Sequence, residues 1–466
     1  MDILSGFRSK CGVVITLSAF GISATSDIAS AQRVACWEPD EQSCGAPGCF
    51  DVGLAWSGQP VGFALLENGS SQIVAYYNDK RQLVVTRNDG EGFNDRTVLP
   101  TRVGWDSHNR IVMAIGPSGR LHVSGNMHST KVNYFESDGP DMIQSLRPLA
   151  IGEGNLFASG TYPEFYKNRH GDLFYLFRTG VASDGAYNLL AYDPASRHWN
   201  SQTDGPFLDF RGAGSPYILG PYQDSNGLYH IAWTIRAKRG AENNRDIFYA
   251  RSTDLARWTD SKGNPLPIPI RLDMGEKVVD SPVGSGIVNG NIRMAFDNQD
   301  RPVIVFGKYT AKDTLGIFVS RLEDGRWRTV QAKDLGVLWK ISGGGSVSKE
   351  LRIQATKRAA DGELVARYVL RQQSYQCMIS NKDLTLQDCL HNQSSLPRGL
   401  MQVSKNRAGM TVQVALASTG QSPRYLLRWE TLPYNRDKPR NVAPPPSKLQ
   451  LFDLKYAKIC HPATSG

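Results

Sequence analysis

A polar turn followed by an alternating or aromatic-rich strand recurs along most of the sequence, and this pattern constrains the fold most. Three of the turns carry Gly119, Gly171 and Gly227, at spacings of 52 and 56 residues. Alternation after a polar turn is typical of a half-buried strand that begins a hairpin. Such units lie at 79–85, 118–123, 170–177, 226–233, 299–306 and 361–366. The pattern predicts a repeated β-hairpin unit.

The second strand of several hairpins is also recognisable, at 132–135, 187–192, 246–251 and 316–321. A chain of 466 residues exceeds what one compact core usually supports. A β-propeller resolves this difficulty, because its blades add around a ring instead of enlarging one core. About 410 residues at about 55 per blade give roughly seven blades, with six or eight as alternatives. We therefore predict an all-β, seven-bladed propeller with four antiparallel strands per blade.

One loop and the C-terminal segment fit this fold. Residues 252–259 approximate the Asp-box of sialidase-like propellers, a loop that folds over a hairpin and marks the fold rather than a site. Residues 444–446 are three prolines, and 449–454 then have the pattern of one more strand. We expect this strand to return and complete the first blade, because an unclosed ring would leave a bare edge.

The first 31 residues have the pattern of a secretory signal peptide. Arg8 and Lys10 precede an apolar run, and small residues ending in Ala31 predict cleavage before Gln32. The apolar run is too short to span a bilayer. The protein is therefore expected to be secreted or periplasmic. The predicted divisions are the signal peptide (1–31), an N-terminal cysteine-containing segment (32–55), the propeller (56–440) and a Pro-rich closing segment (441–466).

The cysteines indicate disulfides. Cleavage removes Cys11 from the seven in the sequence, and an even number in an exported chain favours disulfides over metal ligands. Cys377 and Cys389 flank a predicted hairpin turn and are expected to pair. Three pairings stay open for the remaining four: Cys36, Cys44, Cys49 and Cys460.

The net charge of +9 favours a polyanionic partner. An exported protein is not expected to bind nucleic acid, and the sequence shows no apolar segment long enough to span a membrane. We therefore expect the partner to be an acidic polysaccharide. The charge would then steer that polymer into a cleft of a monomeric protein.

A cluster of polar and aromatic residues in the first third of the chain carries the chemistry. It comprises the segments 105–109, 124–128, 160–165 and 177–178. Four of the eight histidines lie between 108 and 170, and two of them are close to an asparagine. The segments adjoin predicted strands on adjacent blades, where side chains at strand ends converge on one face. A single buried histidine is more often structural, and His122 is expected to be such a case.

These segments resemble the BNR-repeat propeller family that includes the ulvan lyases. The matching pieces are Asp106-x-His108-Asn109, the Gly-Asn-Met-His at 125–128, Tyr162-Pro163 and Arg178, with further matches at 215–217 and 231–236. The resemblance implies that His108 and His128 are the paired active-site histidines, Tyr162 the catalytic tyrosine and Arg178 the arginine that faces the substrate carboxylate. Residues implied or expected to bind substrate are His128, Asn109, Asn126, Tyr217, Tyr222 and Arg236.

Those residue types suit β-elimination from a uronic acid. The proton to be removed lies alpha to a carboxylate, and neutralising that carboxylate stabilises the charge that develops as the proton leaves. Arg178 is permanently charged and suits this contact. His108 and Tyr162 are the expected proton-transfer pair, with the base not assigned between them.

The sequence departs from the family at a structural zinc site that the resemblance would place near 244–250. Arg245 and Phe248 stand where His and Cys ligands are expected, and His230 alone does not make a zinc site. We therefore predict no metal and no cofactor.

Two other functions fit the same fold. A glycoside hydrolase would need two facing carboxylates, for which Glu164 and Asp106 are the candidates. A non-catalytic propeller that binds polyanions would leave the cluster without a chemical role. Formation of an unsaturated uronate distinguishes a lyase from both.

Overall fold

The computed structural model of the chain describes residues 34–36, 48–151, 157–346, 349–358, 363–391, 396–417, 423–456 and 458–460. These residues form seven antiparallel sheets of four or more strands and one two-stranded pairing. The protein is all-β apart from short 3-10 turns at Ile143–Ser145, Ala241–Asn243, Asn289–Asn291, Arg398–Met401 and Leu454–Tyr456. The predicted signal peptide lies outside the described residues.

The sheets are numbered I to VII in chain order. Sheet I holds β3 (Ala64–Asn68), β4 (Ser71–Tyr77), β5 (Gln82–Asn88) and β6 (Asp95–Arg102). Sheet II holds β7 (Ile111–Ile115), β8 (Arg120–Gly125), β10 (Tyr134–Pro140) and β11 (Arg147–Pro148). Sheet III holds β9 (His128–Thr130), β12 (Gly160–Lys167), β13 (Leu173–Val181), β14 (Asp184–Asp193), β15 (His198–Ser201) and β16 (Leu208–Asp209). Sheet IV holds β17 (Ser215–Gln223), β18 (Tyr229–Arg236), β19 (Asn244–Ser252), β20 (Trp258–Thr259) and β21 (Glu276–Val279).

The remaining sheets have four strands each. Sheet V holds β22 (Ile292–Phe296), β23 (Pro302–Tyr309), β24 (Leu315–Glu323) and β25 (Arg326–Asp334). Sheet VI holds β26 (Leu351–Arg358), β27 (Leu364–Leu370), β28 (Gln373–Ile379) and β29 (Leu386–His391). Sheet VII holds β30 (Thr411–Ala417), β31 (Tyr425–Thr431), β32 (Ser447–Asp453) and β2 (Cys49–Ala55), while β1 (Val34–Cys36) pairs with β33 (Lys458–Cys460).

The predicted glycine turns occupy equivalent places in successive sheets. Gly119, Gly171 and Gly227 each lie in the hairpin between the first two long strands of sheets II, III and IV, with φ of 77°, 89° and 86°. In sheets III and IV, the side-chain Oδ1 of Asn168 or Asp224 accepts two backbone N–H groups of the turn at 2.9 Å. Such Asx turns fix the hairpin locally, which is why the repeat is visible in the sequence.

Sheet VII joins the two ends of the described chain. The strand predicted at 449–454 is β32, which pairs with β31 on one side and with the N-terminal strand β2 on the other. The sheet completed in this way is the last one, because sheet I already has four strands of its own. The division at residue 55 therefore separates β2 from the sheet to which it belongs.

Apolar clusters lie between sheets that follow one another in the chain. One cluster joins sheets III and IV around Trp233 and Trp258, both 1% exposed, and others join IV to V and V to VI. First strands of neighbouring sheets are in contact, including β3 with β7, β7 with β12, β17 with β22 and β30 with β3. This order places sheets II and III side by side, which brings the predicted site segments together.

The expected disulfide between Cys377 and Cys389 is confirmed, with a Cα–Cα distance of 4.1 Å between β28 and β29. Cys49 is also disulfide-bonded. The side chains of Cys36, Cys44 and Cys460, which would settle the remaining pairing, lie outside the described part of the chain. Within that part, no helix is long and apolar enough to cross a membrane.

Candidate active site

The ends of strands in sheets II and III deliver four of the predicted side chains. His108 precedes β7, His128 begins β9, Tyr162 lies in β12 and Arg178 in β13. Thr161, next to Tyr162, pairs with His128 on one side and with Arg178 on the other. Backbone pairing therefore sets three of these residues side by side.

The carboxylate of Asp106 holds both histidines. Its Oδ1 lies 2.7 Å from Nδ1 of His108, and its Oδ2 is hydrogen-bonded to Nδ1 of His128. The two imidazole rings stack with centroids 4.3 Å apart. Burial raises the pKa of Asp106, but the hydrogen bonds and charges of the two histidines outweigh it and hold that pKa well below its usual range. Asp106 is therefore ionised.

The Asp106 carboxylate fixes the tautomer of both imidazole rings. An ionised carboxylate only accepts hydrogen bonds, so each Nδ1 carries a hydrogen and donates it to Asp106. In a neutral imidazole the lone pair is then on Nε2, which takes part in none of the hydrogen bonds of the described residues. The side chains of His108 and His128 are 25% and 27% exposed. Each ring therefore presents an accessible Nε2 that can accept a proton.

Tyr162 lies beside both histidines in an unusual backbone conformation. Its ring centroid is 5.9 Å from that of His108 and 6.1 Å from that of His128. The pairing of β12 with β13 shifts register between Thr161 and Glu164, and Tyr162 has a φ of 56°. A bulky residue in the left-handed region is uncommon, and such strain is concentrated at functional sites. Burial and the Tyr217 hydroxyl raise the pKa of Tyr162 to about 12, against the opposing effect of nearby arginines.

Arg178 is a buried cation that has no carboxylate partner in the described part of the chain. Its side chain is fully buried, and none of its three guanidinium nitrogens makes a well-oriented hydrogen bond among the described residues, although the Tyr217 hydroxyl lies near enough to interact with it. Its Cζ lies 4.9 Å from the ring centroid of Tyr162 and 5.1 Å from that of Tyr217. Burial lowers the pKa of Arg178, but the neighbouring tyrosine hydroxyls, Tyr217 first, raise it further. A buried charge without a carboxylate partner is costly, so an anion that reached this guanidinium would stabilise it.

Arg236 positions Tyr217, and each of its three guanidinium nitrogens donates a hydrogen bond. Its Nη1 donates to the Tyr217 hydroxyl at 2.7 Å, while Nε and Nη2 each donate at 2.9 Å to Asn244 and Asn289. Its guanidinium also lies over the Tyr217 ring at 4.2 Å. Tyr217 thus stands between two arginines and forms one wall of the cluster, with its ring centroid 6.2 Å from that of Tyr162.

Three other predicted residues have different surroundings. The Asn126 amide donates to Thr101 and, at 2.9 Å, to the carbonyl of Arg102, both in sheet I. Tyr222 packs in the apolar cluster between sheets IV and V. Asn109 is 9% exposed and follows His108 directly, and its carbonyl accepts a hydrogen bond from Tyr77.

Asp437, which the sequence analysis missed, also approaches the histidines. Its Oδ2 lies 3.4 Å from Nδ1 of His108. Its carboxylate accepts hydrogen bonds from the backbone N–H groups of Ser107 and Ser346 at 3.0 and 2.8 Å. Asp437 lies 330 residues from Ser107 in the sequence, and no local pattern marks it.

The candidate carboxylates for hydrolysis are both engaged. Glu164 is hydrogen-bonded to Arg110 and to the Tyr166 hydroxyl, and Asp106 is held by the two histidines.

One group of side chains among the described residues could hold a metal ion. Asp106, His108 and His128 offer ligand atoms within 4.8 Å of one another, although an ion would have to replace the hydrogen bonds between them. At the place where the resemblance implies zinc, His230 instead lies 2.7 Å from the Tyr249 hydroxyl and 3.3 Å from Asp224. The absence of a metal stays a prediction.

Comparison with known proteins identifies similar sequences and folds. The model of the BNR repeat-containing family matches residues 71–335. The long-isoform ulvan lyase of Alteromonas sp. is 24% identical over 35% of this chain, and the short-isoform ulvan lyase of Alteromonas sp. (strain LOR) is 26% identical over 35%. The matched regions span only 21% and 41% of those two relatives.

Two solved structures share the fold. The polysaccharide lyase Uly1 superposes with a TM-score of 0.55 and 16% identity, covering 94% of this chain and 100% of Uly1. A PL25 ulvan lyase bound to -[GlcA(1-4)Rha3S]- gives a TM-score of 0.53 and 12% identity, covering 82% of this chain and 96% of that structure.

Proposed function

The chain belongs to the BNR repeat-containing family, and we propose that it is a polysaccharide lyase that cleaves a uronic-acid-containing anionic polysaccharide by β-elimination. The observation that carries this proposal is the buried Arg178, without a carboxylate partner among the described residues, next to Tyr162 and two histidines that share one carboxylate. The similarity to proteins named as ulvan lyases adds independent support.

In this proposal Arg178 binds the carboxylate of the uronate in the cleaved linkage. The guanidinium neutralises that carboxylate and stabilises the negative charge that spreads onto it when the C5 proton leaves. Two parallel hydrogen bonds from the guanidinium suit the planar carboxylate. Gly185 provides part of the space for this side chain, because a Cβ there would lie 2.9 Å from Cδ of Arg178.

His108 and Tyr162 then transfer the protons. Nε2 of His108 takes the C5 proton, the C5–H electrons form the C4–C5 double bond, and the C4–O4 bond breaks. The Tyr162 hydroxyl gives its proton to the leaving oxygen. A pKa of about 12 keeps the Tyr162 hydroxyl protonated near neutrality, which favours the role of acid over that of base.

The other residues would bind and orient the sugar. His128, Asn109 and Tyr217 line or adjoin the cluster, and Arg236 acts through Tyr217. The proposed substrate contains an ulvan-like rhamnose–glucuronate or rhamnose–iduronate linkage. The positive charge of the chain would draw such a polymer to the site.

We also propose that the seven sheets are the blades of one propeller. Contacts between the first strands of neighbouring sheets and the pairing of β2 with β32 support a closed ring. The predicted signal peptide supports action outside the cytoplasm. We propose further that the protein acts as a monomer and that the propeller carries the active site.

Incubation with uronate polysaccharides tests the proposal. We expect an ultraviolet absorbance from an unsaturated uronate end. Reducing sugar released without that absorbance would identify a hydrolase, and binding without either product would identify a carbohydrate-binding protein. Both results would contradict the lyase.

The assignment of acid and base has its own test in the pH dependence of kcat. If Tyr162 is the acid, kcat should not fall with rising pH up to about pH 10, because its pKa is about 12. A kcat that keeps rising between about pH 8 and pH 10, where an ordinary imidazole base is already neutral, would instead make Tyr162 the base. Circular dichroism at each pH serves as the control for unfolding.

A further inference from the structure

A second cavity adjoins the candidate active site. It has a volume of about 480 Å³, which is ordinary for a small-molecule pocket, and is lined by Trp339, Lys340, Ser346, Glu350, Tyr434 and Arg436 among others. We name it the 339/434 pocket. All of these residues lie outside the region matched by the family model, which ends at residue 335.

The walls of the 339/434 pocket are fixed by hydrogen bonds to other sheets. Gly343 donates to the Glu242 carboxylate at 2.7 Å and accepts from the Ala241 N–H at 2.9 Å. Arg436 donates to the Ser342 carbonyl at 3.2 Å, which joins the two loops that form the pocket. The cavity is therefore a built feature of the fold.

Hydrogen bonds connect one residue of the pocket lining to the catalytic cluster. Ser346 lines the pocket, and its hydroxyl lies 2.5 Å from that of Ser107, the residue before His108. The N–H of Ser346 donates to Asp437, whose other contacts include Nδ1 of His108 at 3.4 Å. A polymer bound over His108 could therefore reach the 339/434 pocket.

The lining combines aromatic rings with positive charge. Tyr434 is 47% exposed, and Trp339 is partly buried against the apolar core. Exposed aromatic rings beside polar groups are suited to the C–H faces of sugars. Lys340 and Arg436 are exposed, while the lining carboxylate, Glu350, forms an ion pair with Arg371 at 3.0 Å. The pocket is therefore suited to a sugar that carries an anionic group.

We propose that the 339/434 pocket is a subsite that binds an anionic sugar of the polymer beyond the linkage that is cleaved. This inference rests on the proposed lyase function and adds to it a second contact with the substrate chain. The anionic group is either a carboxylate or a sulfate ester. Because the pocket lies beyond the family-matched region, it would set the substrate preference of this chain in particular.

The test compares a long polymer with the shortest oligosaccharide that is cleaved. The variant Lys340→Ala/Tyr434→Ala should lower kcat/KM for the polymer about tenfold, mainly through KM, and change kcat/KM for the oligosaccharide less than about twofold. The control is Arg257→Ala/Tyr456→Ala, whose residues are comparably or more exposed, with Tyr456 at 48% and the Arg257 side chain at 86%. It should leave both values unchanged.

Equal losses on both substrates, or no loss on the polymer, would overturn the subsite. Failure of the wild type to form an unsaturated product from any uronate polymer would instead contradict the lyase. In that case affinity electrophoresis in a gel containing the polymer still tests the pocket. Retardation of the wild type and the control, but not of the pocket variant, would support it, and equal migration of all three would refute it.

Chemically modified polymers identify the anionic group in the same gels. If the pocket binds a sulfate, desulfation should remove the difference in retardation between the wild type and Lys340→Ala. If it binds a carboxylate, carboxyl reduction should remove that difference instead. A difference that survives both treatments would show that no anionic group is recognised.

Discussion

Two pairs of histidines in this protein make similar hydrogen bonds and have different chemistry. His108 and His128 bind the Asp106 carboxylate through Nδ1. Nδ1 of His122 and Nδ1 of His230 each lie 2.7 Å from a tyrosine hydroxyl. Their side chains are only 0% and 3% exposed. The partner and the exposure differ, and these two properties decide which rings can exchange protons with a substrate.

Burial makes the second pair neutral. It lowers the pKa of His122 to about 3, with further lowering by Lys167 and nearby arginines. Burial also lowers the pKa of His230 to about 4, although Asp224 opposes the shift. These rings are hydrogen-bonded parts of the core, whereas the stacked pair is partly exposed and is held by the Asp106 carboxylate. Four substitution experiments can break or sharpen this comparison.

The largest expected effect is on catalysis by the exposed pair. His108→Ala should lower kcat by about 10²- to 10⁴-fold, since it removes the proposed base, and lower the free energy of unfolding by only about 1 kcal/mol, through the lost hydrogen bond to Asp106. His122→Ala should do the reverse, destabilising the fold by roughly 3 kcal/mol through a buried cavity and unpaired polar groups. Steady-state kinetics and urea unfolding measure the two effects. A loss of kcat in folded His122→Ala would break the comparison.

The Asp106 carboxylate should matter almost as much as the base. Asp106→Asn keeps the shape but no longer fixes both Nδ1 hydrogens, so we expect kcat to fall about 10³-fold. Tyr249→Phe removes the corresponding partner of His230 and should cost about 1 kcal/mol of stability with no effect on kcat. Wild-type activity in Asp106→Asn would show that the shared carboxylate does not orient the rings.

The buried pair should make the protein sensitive to acid. The folded pKa values of about 3 and about 4 lie below the unfolded value of 6.5. As the pH falls below 6.5, these two histidines take up protons in the unfolded chain before they do so in the folded one. Their contribution to the free energy of unfolding is therefore complete above pH 6.5. It decreases as the pH falls from 6.5 towards the folded pKa values. At about 1.4 kcal/mol per pKa unit, the loss amounts to a few kcal/mol.

Urea unfolding at pH 7 and at about pH 4.5 measures this loss. His122→Asn keeps a hydrogen-bonding group near the position of Nδ1 but does not titrate, so it should reduce the dependence on pH. His108→Ala is the control and should retain it. An unchanged slope in His122→Asn would mean that other groups cause the acid sensitivity.

The smallest expected effect concerns the second carboxylate near His108. Asp437→Asn removes a charge 3.4 Å from Nδ1 of His108, which should lower kcat about fivefold, equivalent to about 1 kcal/mol. KM should change less, because Asp437 touches the base rather than the substrate. A change confined to KM would assign Asp437 to the 339/434 pocket alone.

Much of the fold was predictable because its determinants are local. A strand follows each of the six predicted turns, among them β8, β13 and β18, since alternating residues and Asx turns lie within a few positions of one another. The Cys377–Cys389 bridge was predictable for the same reason, as its cysteines are 12 residues apart on neighbouring strands. The pairing of β32 with both β31 and β2 was only partly predicted, because it joins opposite ends of the chain.

The residue segments of the candidate site were recognisable in the sequence, but the contacts of several of its residues were not. His108, His128, Tyr162 and Arg178 stand in recognisable segments, and the sheets bring them together. The orientation of Asn126 towards sheet I and of Tyr222 into a core cluster depends on neighbouring sheets. The same holds for the approach of Asp437, which comes from a loop more than 300 residues away.

The sequence by itself determined the strand repeat and the types of residue available for proton transfer, since hairpins and side-chain chemistry depend on near neighbours. Only the tertiary structure decided which histidines are partly exposed beside a carboxylate and which are neutral in the core. It also decided that Arg178 is buried without a carboxylate partner among the described residues, and that Ser346 of the 339/434 pocket lies next to Ser107. These properties depend on burial and on charges supplied by other sheets, which are distances in space that no local pattern records.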